Sequence, residues 1–333
     1  MLPSIWHSPL CFWRQMTTEI HQAIREKLAK AKNILIVSHV RPDGDAIGSL
    51  LGLGLAIKNA GKAVEMVLND GVPALFTHLP GAELIKTSPK VDFDLFITVD
   101  CADFKRTGPQ FQSMRKPDIN IDHHVTNEKY GEINCIVPDA VATCAILTDC
   151  IPLWGLDIDR DVAASLVTGI VTDTLGFRTS NTNPACLRQT ARLMETGIDM
   201  PELYNRALNR RKIFSARYWG AGLSSLKSEN GIVYGTLTLD DRQRSGYSGN
   251  DDGDLINIIS TIEDHTVGMI FVEQTDGHVK ISWRALQPGI DVSPIAKHFK
   301  GGGHPAAAGA DIPGTMSEIQ PLVLDKTRQM LNL

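Results

Sequence analysis

Apolar residues in the first two thirds of the chain come in short unbroken runs, each stopped by a polar turn. Residues 33–40 read NILIVSHV, a run of the kind found in strands buried on both faces, and a loop of Gly, Pro and Asp follows it. Residues 46–61 (AIGSLLGLGLAIKNAG) read as a helix ended by Gly61, 63–70 (AVEMVLND) and 94–100 (DLFITVD) as strands, and 118–122 (DINID) as a shorter strand. Further helices are expected at 161–177 and at 184–197, the latter with Pro184 near its start and Gly197 just past its end. Strands alternating with helices predict an α/β domain with a doubly wound, mostly parallel sheet, whose ligands sit at the carboxyl ends of the strands. A helical pattern at 17–33, with Thr17 or Thr18 as its cap, precedes the first strand. Residues 1–16 are expected as a disordered extension, with Met16 as an alternative start. Beyond the first domain, at 17–205, the charged stretch 206–229 reads as a helical connector. From 230 to 333, β-branched segments at 231–240, 265–274 and 277–286 alternate with a helical one at 254–264, which predicts a smaller second α/β domain. A cleft between two such domains is the expected place for a small-ligand site.

The 333 residues suffice for two self-sufficient cores, and a 43% hydrophobic content excludes a disordered chain. The six cysteines form no C-x-x-C pair, which speaks against a disulfide framework or a thiolate zinc site and fits a reducing cytoplasm. No run of about 18 uncharged apolar residues occurs, so no membrane span is expected. The first fifteen residues lack the basic opening and cleavage site of a secretory leader. Thirty-three Lys and Arg against 38 Asp and Glu leave a net charge of −5, which offers long nucleic acid no general attraction. The basic run at 209–212 reads as a solvated helix face.

Candidate chemistry gathers where the predicted strands end. His39, Asp43 and Asp45 follow the first strand in a turn tightened by Pro42 and Gly44; Asp100 ends the strand LFITVD; Asp122, His123 and His124 end the next; Asp173 lies in a helical segment. A doubly wound sheet brings these ends to one edge. Asp43, Asp45, Asp100 and Asp173 carry four negative charges, which two divalent cations neutralise without any lysine. Mixed carboxylate and imidazole donors without thiolate suit Mn²⁺, with Mg²⁺ or Co²⁺ as alternatives. Two such ions activate water and stabilise the oxygens of a phosphoryl group, so the expected reaction is metal-assisted phosphoester hydrolysis. In the second domain, Lys300-Gly301-Gly302-Gly303-His304 reads as a loop able to approach an anion, and Ser282 and Arg284 share one face of a strand, Arg being shaped for phosphate.

The motifs at His39–Asp45, Asp100, Asp122–His124 and Asp173 resemble, in order and spacing, those of the DHH phosphoesterase superfamily. The resemblance implies that His39, Asp43 and Asp100 hold one metal ion and that Asp45, Asp100, His123 and Asp173 hold the other. His124 would then face the scissile phosphate, and Asp122 would orient a histidine ring. The later S-x-R, D-V-S-x-I-A and G-G-G-H-x-x-A-A-G segments are similar to the DHH-associated substrate domain of the nanoRNase branch. That branch implies hydrolysis of short oligoribonucleotides, dinucleotides such as pApA and pGpG included, to mononucleotides, together with removal of the 3′-phosphate of the nucleoside bisphosphate pAp. Lys300, Arg284, Ser282, Gly301, Gly302, Gly303 and His304 would contact the substrate. Two departures stand out: Lys300 occupies a place where relatives often have a fourth glycine, and Ala285 follows Arg284 where a serine is common.

The other readings are a manganese pyrophosphatase, whose basic Arg-Lys-Lys segment is missing after residue 230, a RecJ-like exonuclease, and a non-catalytic nucleotide sensor, which would have lost a ligand. The expected partners are therefore short RNA and nucleoside bisphosphate, with no long nucleic acid and no membrane; the sequence leaves monomer and homodimer equally open. Activity is expected to rise from neutral to alkaline pH.

Overall fold

The computed structural model describes residues 10–90 and 92–333. The chain divides into two compact units, the first ending at Arg210 and the second running from Arg211 to Leu333.

In the first unit, α1 (Leu10–Lys30) leads into β1 (Asn33–Val37), α2 (Gly44–Asn59), β2 (Ala63–Val67), β3 (Leu95–Val99), the short α3 (Pro109–Gln112), β4 (Ile119–Asp122), β5 (Ile133–Ile136), α4 (Thr143–Leu153), α5 (Arg160–Asp173), α6 (Pro184–Met194) and α7 (Met200–Tyr204). Because α1 already begins at Leu10, residues 10–16 are helical, contrary to the expected extension; residues 1–9 lie outside the described residues. The five strands are parallel and ordered β2-β1-β3-β4-β5, with Ile36 beside Ile97 and Ile121 beside Cys135. That order places a topological switch between β1 and β3, the position where open α/β sheets bind ligands.

Alternation along the strands divides the core. Ile34, Ile36, Ile97 and Val99 pack into one large cluster with residues of α2, α4 and α5. Leu35, Val37 and Phe96 face the other way, where Phe93, Phe104 and Phe111 cover them. On this second face a phenylalanine layer on short turns and α3 replaces the long helices that a doubly wound sheet leads one to expect. Every residue of α2 from Gly44 to Ile57 is buried, which explains why its sequence is apolar all round instead of amphipathic.

The second unit contains α8 (Ile213–Ser224), β6 (Lys227–Glu229), β7 (Ile232–Leu237), α9 (Leu239–Ser245), α10 (Leu255–Ile259), β8 (Val267–Glu273), β9 (His278–Ala285), α11 (Ser293–His298), β10 (Gly302–His304), β11 (Ala307–Pro313) and α12 (Met316–Leu331). Its six strands are ordered β10-β11-β9-β8-β7-β6, antiparallel except for the β7–β8 pair. Trp283, Ile281, Ala308 and Ala310 point to the α11 and α12 side. Val233, Leu237, Ile270 and Val272 point to the opposite side, under α8 and α10. Of the stretch 206–229 expected as a connector, residues 211–229 belong to this unit and 206–210 to the first: Tyr218 of α8 is fully buried in the core of the second, and 227–229 form an edge strand. The predicted glycine loop is likewise a strand, since Gly302–His304 pairs with Ala307–Gly309. Among the described residues, no helix is long and apolar enough to cross a membrane.

Candidate metal centre

β1 delivers the chain into Ser38-His39-Val40-Arg41, a turn tied down by backbone: Val40 N–H donates to the Arg106 carbonyl at 2.6 Å and Arg41 N–H to Asp70 at 2.6 Å. Arg41 adopts φ 54°, a left-handed conformation that costs energy and redirects the chain sharply. His39 Nδ1 lies 2.9 Å from the Val40 carbonyl, which assigns its proton to Nδ1 and leaves the Nε2 lone pair free. Nε2 stands 3.6 Å from Asp100 Oδ2 and 4.0 Å from Asp43 Oδ1. Asp43 caps α2, accepting from the Asp45 and Ala46 N–H groups, while its side chain stays exposed.

Asp45 and Asp100 are each 1% exposed. The Asp45 carboxylate accepts the Thr143 and Cys144 backbone N–H groups, at 2.6 and 2.9 Å, from the N-terminus of α4. Asp100, just past β3, has φ 51° and accepts from the Thr143 hydroxyl at 3.1 Å. His123 Nε2 completes the arrangement, lying 3.9 Å from Asp45, 3.7 Å from Asp100 and 3.6 Å from Asp173. Asp173 is the last residue of α5 and reaches the centre because α5 packs closely on α2. That approach needs glycine at 169: a Cβ there would press on the Cys144 thiol and lie 2.7 Å from Asp45 Oδ1.

The donor atoms fall into three groups: His39, Asp43 and Asp100; Asp45, His123 and Asp173; and Asp100, Asp122, His123 and His124. Asp100 and His123 each belong to more than one. The fully buried Asp122 carboxylate accepts from His124 Nδ1 at 2.7 Å, from His123 N–H at 2.8 Å and from Asn127 Nδ2 at 2.6 Å. Asn127 is itself held by Asn120 and by the Cys101 carbonyl.

The electrostatics record how much negative charge is packed here. Burial and the neighbouring Asp100 and Asp173 carboxylates push Asp45 well above the usual carboxylate range. Asp173 is pushed up to about 6, first by burial and then by Asp100 and Asp43 against the pull of His123. Burial also raises Asp100, but the imidazoles of His39, His123 and His124 outweigh it and bring the carboxyl down to about 2. Burial lowers His124, and the hydrogen bond and charge of Asp122, followed by Asp100 and Asp173, override that and raise it to about 9. Buried carboxylates that compete for protons in this way call for positive charge between them. No Lys or Arg forms an ion pair with Asp43, Asp45, Asp100 or Asp173 among the described residues, and all the donors are oxygen or imidazole. Divalent cations fit this set.

The remaining predicted residues lie in the second unit. Arg284 of β9, Ala307 of β11 and His304 of β10 are opposite one another across the sheet, and Ser282, Gly309 and Gly302 form the next row on the same face. The small residues of β11 leave that face clear between Arg284 and His304. Gly301 and Gly303 are demanded by close approach, since a Cβ at either would run into the β11 backbone; Gly302 has nothing within 4 Å of that position. Lys300 has φ 61° and closes α11 as the left-handed residue of a Schellman turn, with Lys300 N–H bonded to Lys297 O and Gly301 N–H to Ala296 O.

Sequence reasoning missed Thr143, the Cys144 N–H, Asn127 and Arg106. Asn127 sits in the polar run just after D-H-H-V-T, and Thr143 opens an apolar helix; neither pattern signals a contact that exists only in the folded chain.

A parallel sheet whose strand ends gather carboxylate and imidazole donors able to hold a metal ion is the arrangement that comparisons with known proteins identify. Residues 33–170 match the DHH family N-terminal domain and 230–332 the DHHA1 domain. The chain belongs to the DHH family. It is 33% identical over 305 residues to the bifunctional oligoribonuclease and PAP phosphatase NrnA of Thermus thermophilus, covering 90% of each chain. An exopolyphosphatase-related protein from Bacteroides fragilis superposes with a TM-score of 0.87 at 26% identity, over 95% of this chain and 98% of that one. RecJ from Thermus thermophilus, solved with Mn²⁺, shares the fold at TM-score 0.53 and 15% identity, over 94% of this chain and 54% of that one.

Proposed function

We propose that the protein is a metal-dependent phosphoesterase that hydrolyses short oligoribonucleotides, including dinucleotides such as pApA and pGpG, to mononucleotides, and pAp to AMP and phosphate. The observation that carries this reading is the His39–Asp43–Asp100 and Asp45–His123–Asp173 donor groups, joined where His123 Nε2 stands 3.7 Å from Asp100, beside the Asp122–His124 pair. It is supported by the name of the Thermus relative, which covers nearly the whole chain.

In this reading His39, Asp43 and Asp100 hold one divalent ion, and Asp45, Asp100, His123 and Asp173 hold a second. Bound there, the ions supply Lewis acidity to the phosphoryl group and acidify the attacking water. The oxygen and imidazole donor set favours Mn²⁺. Asp122 fixes one proton on His124 Nδ1 and turns Nε2 outward, so that a ring protonated at both nitrogens donates from Nε2–H to a phosphate oxygen and passes that proton to the departing oxygen. In the second unit Arg284, Ser282 and His304, aligned across one sheet face, bind a further phosphate, and the backbone at Gly301–Gly303 and Lys300 borders it. Five buried free thiols support a cytoplasmic setting.

Asp122→Asn tests the role of the pair. It keeps the size of the side chain but removes the charge that raises His124, so kcat on a dinucleotide should fall about a hundredfold or more while Mn²⁺ affinity stays within about twofold. Unchanged kcat would rule out His124 as the proton donor.

A further inference from the structure

Arg106 belongs to the 3₁₀ turn Phe104–Thr107 that follows β3, and it touches the metal-ligand turn twice. Its carbonyl accepts the Val40 N–H at 2.6 Å, and its guanidinium places Nη2 3.3 Å from His39 Nδ1. The second contact cannot serve as its hydrogen bond. A guanidinium only donates, and His39 Nδ1 already spends its proton on the Val40 carbonyl at 2.9 Å, so two donors face each other. The guanidinium is exposed, and although carboxylates crowd this end of the sheet it forms no ion pair with any of them among the described residues, unlike Arg115, Arg192, Arg206, Arg210, Arg211, Arg244 and Arg328. A permanent cation is thus held beside His39 with donors and no acceptor.

We infer that Arg106 binds a phosphate oxygen of the substrate on the His39 side of the centre. This rests on the phosphoesterase reading above. The planar fork suits a non-bridging phosphate oxygen, and the charge lies beside Nδ1 of His39, the residue whose Nε2 faces Asp43 and Asp100. Because the Val40 bond uses the Arg106 backbone, it survives side-chain replacement, and the ligand turn keeps its tether in every variant.

The test compares wild type with Arg106→Ala, Arg106→Gln and Arg106→Lys, all loaded with Mn²⁺. Turnover of a dinucleotide, Mn²⁺ affinity by calorimetry and binding of inorganic phosphate are measured on each. The expected result is a kcat/KM lowered about ten- to a hundredfold in the Ala and Gln variants. Phosphate binding should weaken in parallel, Mn²⁺ affinity should hold, and added guanidinium ion should restore activity to the Ala variant. Parallel loss of Mn²⁺ affinity would overturn the inference, because Arg106 would then act by holding His39; so would unchanged turnover and phosphate binding. If wild type cleaves no nucleotide, the phosphoesterase reading fails separately, and phosphate affinity still decides whether Arg106 is an anion ligand.

Discussion

Asp45 and Asp173 hold protons more tightly than ordinary carboxylates, through burial first and neighbouring carboxylates second, and His124 holds its proton more tightly than an ordinary imidazole because the Asp122 hydrogen bond and the carboxylates around it override its burial. Both effects have the same sign in the cation-free protein. Asp173, raised from 3.8 to about 6, is neutral in both states at low pH and loses stability as pH climbs between those values. His124, raised from 6.5 to about 9, contributes stability that is complete below 6.5 and is lost as pH approaches 9. Stability without cations should therefore fall across the whole range, whereas cations that replace those protons bind better as pH rises. The gain in Tm on adding Mn²⁺ should accordingly be larger at about pH 8 than at about pH 5.5, as thermal melts at both values would record. An equal gain would mean that cations do not displace protons from this cluster.

At the scale of elements, the strand ends were legible because each follows an apolar run that only a buried parallel strand explains, and Asp100, Asp122 and the His39 turn sit at those ends. What was not legible depends on contacts between distant elements. Asp45 and Asp173 were legible as donors, but the α4 N–H groups that steady Asp45 and the helix packing that delivers Asp173 were not, and the short β5 has too few residues to show a period. The glycine segment read as a loop because glycine disfavours strands, yet β11 pairs with it through small residues. Gly169→Ala should separate α5 from α2 at the centre, lowering stability by about 1–3 kcal/mol in a denaturant titration and weakening Mn²⁺ binding. A variant as stable as wild type would show that α5 has room to move. Lys300→Gly relieves a left-handed residue, and should raise stability by about 1 kcal/mol. A loss of stability would show that the lysine side chain has a structural partner.

For the molecule as a whole, the two units bring different chemistry to one chain: a switch-point cluster of carboxylates and imidazoles in the first, and a cleared sheet face with Arg284 and His304 in the second. The net charge of −5 gives long RNA no general hold, so under the proposed function a preference for short substrates would rest on local phosphate sites. The most direct test is a product time course with Mn²⁺ and purified protein, giving a dinucleotide, a pentanucleotide, a long RNA, pAp and pyrophosphate in parallel, with chelated protein as control. The account predicts mononucleotides from both short RNAs and AMP with phosphate from pAp, little change in long RNA or pyrophosphate, and no turnover once the cation is chelated. Cleavage of pyrophosphate alone, or turnover that survives chelation, would contradict it.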